Sequence, residues 1–298
     1  MRPNLEKLDP VAPALLLRDE LADVYRRERE RVIAAHAELA LVGSADNETL
    51  NAILSLAPSP LAREGWGEGA TTGTRQDGSA SHPTPHPSPL PQGERGLETA
   101  LSLQEDFVIL KQHEDALRTE YLSVCFPSRW DPREKLGLDF AAIHAPVADN
   151  QMLQAAGPNI MTMAFMKQPM LRHVWLIVPA ASLDQHPEKN QAWWSEALAD
   201  PSPLLPRLFF RIERQTTWPL PHLQRAVFFI RLMMSPLLDV LSLPNPVRPE
   251  HSEGSDNRTG RAAQLAASLR SMTPAIVAYR GMTDALPRLL NELDAMNV

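Results

Sequence analysis

Cysteine is almost absent: Cys125 is the one thiol in 298 residues. A lone thiol excludes an intramolecular disulfide, and it cannot hold an iron–sulfur cluster, which draws on a set of thiolates or a Cys/His mix. Basic charge is also short. The formal net charge is -7, and no dense Lys/Arg run is present to neutralise phosphates, so a nucleic-acid-binding surface is not expected. No long apolar run occurs either. The most hydrophobic stretch, Ala226 to Leu243, is interrupted by Arg231, Pro236 and Asp239, which reads as a strand followed by a buried helix rather than a membrane span. The charged opening M-R-P-N-L-E-K-L-D-P lacks the apolar core of a secretory signal, so a cytoplasmic protein is expected. No G-x-G-x-x-G after a strand, P-loop, G-x-S-x-G elbow or H-E-x-x-H is found, which removes the usual support for dinucleotide, nucleoside triphosphate, serine hydrolase and zinc protease chemistry.

What is present is a hydrophobic fraction of 44%, ample for a core. Apolar residues at helical spacing from Leu15 to Leu41, opposite an E-R-E-R face, predict an amphipathic helix. A second helix is predicted from Asp46, where D-N-E-T-L supplies a cap and early acid. Residues 1–56 therefore read as an N-terminal helical segment. From 57 to 97 the Pro- and Gly-rich composition predicts a disordered insertion. Its words S-P-L-A-R-E-G-W-G-E-G and S-P-L-P-Q-G-E-R-G resemble translated palindromic repeats, as a mobile insertion without catalytic content would.

Residues 98–298 read as the main domain. Strands are predicted at Leu117–Phe126, Arg172–Val178, Leu208–Trp218 and Ala226–Leu232, the last two joined as a hairpin by P-L-P-H-L-Q. A methionine-rich helix is predicted at Met152–Met166, C-terminal helices at Ala262–Ser271 and Thr283–Met296, and a surface loop near 245–260. Helices before, between and after such strands give an α+β fold around an antiparallel sheet.

Two features carry chemistry. In R-I-E-R-Q-T, alternation puts Arg211, Glu213 and Gln215 on one face and Ile212, Arg214 and Thr216 on the other. Either Glu213 is ion-paired to a neighbouring arginine, or the strand presents polar groups to a ligand pocket. His144, in F-A-A-I-H-A-P-V-A-D, is either a buried imidazole bonded to a carbonyl or a ligand to a metal or cofactor. His36, His82, His86 and His251 read as surface residues, and Cys125 as a packed small hydrophobe.

Taken in order, C-F-P-S-R-W-D-P-R-E-K-L-G at 125–137, I-H-A-P-V at 143–147, R-H-V-W at 172–175, R-I-E-R-Q-T at 211–216, F-F-I-R at 228–231 and Y-R-G at 279–281 resemble the haem-binding α subunit of haem-dependent oxidative N-demethylases. The resemblance spans roughly Leu103 to Met282. It implies a PAS-like antiparallel sheet flanked by helices, binding haem b. It also implies oxygen-dependent demethylation of a small secondary amine such as dimethylamine, releasing formaldehyde. Electrons would come from NADPH through a separate reductase carrying flavin and a 2Fe–2S cluster. On this sequence it implies His144 as the axial ligand to the haem iron, Glu213 as a catalytic carboxylate accepting from the imidazole, and Arg172, Arg211, Arg214 and Arg231 as candidate clamps for the propionates. The sequence departs from the family pattern at Ala148, Val174, Met233 or Met234, and Arg280. Two other classes thus stay open: a PAS-like haem or small-molecule sensing module, and a degenerate paralogue without haem.

Overall fold

The computed structural model describes residues 5–8, 15–57, 92–114, 116–188, 193–243 and 260–296. Most of the predicted insertion (58–91) and of the predicted loop (244–259) lies outside them.

Among the described residues seven strands form one antiparallel sheet: β1 (Glu6–Lys7), β2 (Leu41–Gly43), β3 (Asp106–Gln112), β4 (Leu117–Ser123), β5 (Met170–Val178), β6 (Phe209–Leu220) and β7 (Arg225–Pro236), in the order β1-β5-β6-β7-β3-β4-β2. The expected α+β class is therefore found. The hairpin β6–β7 stays in register from Phe209↔Pro236 to Leu220↔Arg225. All four predicted strands are present. The sequence pattern does not show the short edge strands β1 and β2, nor β3, whose D-F-V-I-L-K-Q has no apolar/polar alternation because it lies between two other strands and is buried on both faces.

The N-terminal helix is shorter than its periodicity predicts: α1 is Ala22–Ala40. Residues 15–21 are not helical because tertiary partners take their backbone. Leu17 N–H donates to Glu105 (2.8 Å), Asp19 N–H to Gln104 (3.0 Å), and the Leu15 carbonyl accepts from Thr216 and Arg214. Helix α2 (Asn47–Ser55) is capped as expected, Asp46 accepting from Thr49 N–H at 2.8 Å.

The end of the predicted insertion is ordered structure. Helix α3 (Gln92–Ser102) begins inside it, correcting the expectation that its composition bars a helix. Arg95 is buried and pairs with Glu98 at 2.6 Å. Gly96 lets the helix lie against the sheet: a Cβ there would stand 2.9 Å from the Tyr121 hydroxyl.

Between β4 and β5 come α4 (Phe140–His144), α5 (Gln151–Ile160) and a π-helical run, Met161–Lys167, which buries Ala164 and Phe165. The remaining helices are α6 (Trp193–Ala199), α7 (Leu237–Ser242), α8 (Arg261–Arg270), α9 (Pro274–Tyr279) and α10 (Leu286–Ala295). Helices α6 to α10 share one core cluster with Ile177 of β5. Among the described residues, no helix is long and apolar enough to cross a membrane.

Candidate functional site

The β5–β6 register decides which charged groups can meet. Arg172 pairs with Gln215, Val174 with Glu213 and Leu176 with Arg211, so these six share a face. Arg214 pairs with His173 and Arg231, on the opposite face. There Arg214 donates to the Leu15 carbonyl, and Arg231 is bonded to Asp19 at 2.6 Å with its guanidinium 4.4 Å from the Tyr25 ring centre. Both arginines hold the N-terminal segment. They are not brought to the face of Glu213.

Arg211 is on that face, but its donors are spent on protein. It bonds the carbonyls of Phe126 (2.8 Å), Pro127 (3.2 Å) and Leu183 (3.0 Å) and the Ser128 hydroxyl (2.9 Å). The guanidinium fork thus ties the 125–128 loop to the 182–184 loop. The first loop is also held from behind: the N–H groups of Cys125 and Phe126 donate to the Asp106 carboxylate, itself paired with buried Arg29 at 2.7 Å. Burial pushes the Cys125 thiol up to about 12, so it is an inert packed group, as its setting predicted.

This scaffold delivers Ser128 to Glu213. The hydroxyl bonds Glu213 Oε1, and Gln215 Nε2 donates to Oε2 at 2.7 Å. Arg211 Nε can only donate, so the Ser128 hydrogen points at Glu213. Both carboxylate oxygens therefore accept from neutral donors, and among the described residues Glu213 makes no contact ion pair. The arginine pairing open from the sequence is thus not formed among the described residues.

Arg172 is different from the other three. Its guanidinium has no hydrogen bond or contact ion pair among the described residues. Burial pushes its pKa down, and the one charge opposing that is Glu213. Its own charge, after burial, helps hold the His144 imidazole below the usual histidine range.

His144 closes α4, whose Asp139 cap accepts from Ala142 N–H at 2.8 Å. Its ring lies 4.1 Å from that of Phe140, and Nδ1 is 2.8 Å from the Phe140 carbonyl. A carbonyl can only accept, so Nδ1 carries the hydrogen and Nε2 keeps its lone pair. Nothing else among the described residues bonds the ring. The carbonyl partner and the ligand role, alternatives from the sequence, are thus compatible. The expected Glu213–imidazole contact is corrected: Phe140 occupies Nδ1, and Glu213 is taken by Ser128 and Gln215.

Sequence reasoning missed Ser128, Tyr279, Arg280 and Arg129. Tyr279 stands near enough to Glu213 for that charge to add to burial in raising its hydroxyl pKa. The Arg280 guanidinium lies 5.0 Å from the Trp175 ring centre. Gly281, at φ 67°, leaves room for Arg129, whose Nη1 would stand 2.8 Å from a Cβ there. All four lie inside the quoted words C-F-P-S-R-W and Y-R-G, their only sequence signal apart from the departure from the family pattern at Arg280.

Among the described residues the site therefore offers an imidazole with one fixed tautomer and an unbonded Nε2, a desolvated cation without a contact partner, and a carboxylate oriented by neutral donors. This donor set suits haem, which takes an imidazole at iron and cations at its propionates. The family comparison gives the same class. The model of the family described as haem-dependent oxidative N-demethylase, alpha subunit-like, matches residues 79–290, and the chain belongs to that family. A search of the curated proteins finds no match.

Proposed function

We propose that this chain is the haem-binding subunit of an oxygen-dependent oxidative N-demethylase that acts on a small methylated secondary amine, such as dimethylamine, and releases formaldehyde. The observation that carries the reading is His144: Nδ1 is tied to a carbonyl and nothing among the described residues bonds Nε2, in a chain whose family is described as haem-dependent. Nε2 would hold the iron of haem b and Arg172 a propionate. Bound haem supplies the one-electron chemistry that oxygen activation needs. The protein's own part is positional. The Phe140 carbonyl fixes the His144 tautomer and raises its donor strength. Glu213, held as an acceptor by Ser128 and Gln215, receives the N–H of the amine, and its charge reaches the Tyr279 hydroxyl. Electrons come from NADPH through a separate flavin and 2Fe–2S reductase in the cytoplasm, a division of labour that suits a chain with one buried thiol.

Purified protein tests this. A Soret band that is lost in His144→Ala, together with formaldehyde from dimethylamine, oxygen and a reductase, is expected. Unchanged haem content in His144→Ala overturns the ligand assignment. One observation favours a second reading, a module that binds haem without turnover: Val174, which replaces an amide of the family pattern, stands directly across from Glu213. A Soret band without formaldehyde would select it.

A further inference from the structure

Arg172 and Glu213 face the same side of neighbouring strands, diagonally placed, with Arg172 opposite Gln215 and Val174 opposite Glu213. They are close enough for the glutamate charge to act on the guanidinium, yet they form no contact pair. Each is organised separately. Both Glu213 oxygens accept from neutral donors, Ser128 and Gln215, which fix the carboxylate without neutralising it. Arg172 has no acceptor at all among the described residues. A partly buried cation and a buried anion left apart in this way keep a residual attraction that any incoming ion must work against.

We propose that Arg172 is an anion pole and Glu213 a cation pole, and that filling the first with a carboxylate raises the affinity of the second for a small ammonium ion. The amine would then bind in its protonated form. The coupling is electrostatic. In the empty site Arg172 repels a cation approaching Glu213 and partly satisfies that carboxylate. A carboxylate on Arg172 cancels its charge, so Glu213 is left to the ammonium ion. Linkage requires the reverse as well: ammonium at Glu213 tightens the carboxylate. The occupant of the anion pole rests on the haem reading, with a propionate as the carboxylate, and the order it imposes is haem before amine.

The test measures dimethylammonium binding by calorimetry with haem-free protein, with protein loaded with haem, and with protein loaded with haem dimethyl ester. The free acid is expected to tighten dimethylammonium about fivefold or more, a typical coupling between sites, and the ester to leave it unchanged. Haem-free Arg172→Met should already bind dimethylammonium as tightly as the loaded wild type, while Glu213→Gln should lose it. Equal affinity in haem-free wild type, loaded wild type and Arg172→Met overturns the proposal, as does a gain with the ester equal to that with the acid. If the wild type takes up no haem, the haem reading fails by itself. The comparison of haem-free wild type with Arg172→Met, and with sodium propionate as the carboxylate, then still decides the coupling.

Discussion

Arg211 and Glu213 stand two residues apart on one strand face and do opposite work. Arg211 is an internal brace whose partners are mostly buried carbonyls, so truncating it strands several acceptors at once. Arg211→Met should destabilise the fold by about 3 kcal/mol or more, read as a lower urea midpoint. Glu213→Gln should instead keep the midpoint and the haem content, because the amide oxygen can still accept one bond. Formaldehyde formation should fall by ~100-fold if the carboxylate handles the amine proton. Retained turnover would remove Glu213 from the chemistry. The strand period of two made the division of R-I-E-R-Q-T into two faces legible. Its partners were not, because Ser128 arrives from a loop 85 residues earlier.

Among the elements, those with strong local signals were the legible ones. The hairpin β6–β7, the cap of α2 and the C-terminal helices follow from alternation, a capping aspartate and apolar spacing. Strand β3 and residues 15–21 were not legible, because long-range partners rather than local pattern decide them. The turn after α9 is a third case. Its Y-R-G word showed a resemblance, but only the structure gives its reason: Gly281 has a left-handed φ and the Arg129 guanidinium lies against it. An alanine there meets both constraints. Gly281→Ala should cost about 1 kcal/mol for the backbone conformation, plus the displacement of Arg129. Thermal unfolding checks the first part. If the turn frames the site, haem affinity should fall further in Gly281→Ala than in an Arg129→Ala control.

At the scale of the whole molecule, carboxylates fasten both ends of the chain to the sheet domain. Asp19 grips Arg231, and Glu292 of α10 accepts from the N–H groups of Leu204 and Leu205 at 2.9 Å. Burial opposes ionisation of both, yet their hydrogen bonds and arginine neighbours outweigh it and hold each below its usual range. The folded state therefore binds fewer protons there than the unfolded chain. The stability they contribute is present above the unfolded values near pH 4 and is lost as pH falls through the lower folded ones. Glu105 runs the other way, because burial dominates and raises it. Its protonated form is the one the fold prefers, so its contribution weakens as pH rises past the unfolded value. Asp46, Asp131 and Asp200 are likewise held below their usual range, so lowered carboxylates outnumber the one raised and net acid lability is the expected outcome, with Tm falling as pH is lowered from about 6 to about 3. Asp19→Asn should start from a lower Tm at neutral pH, because Arg231 loses its charged partner, and should fall less steeply in acid. If its slope equals that of the wild type, the ionised Asp19 carboxylate does not hold residues 15–21 to the sheet.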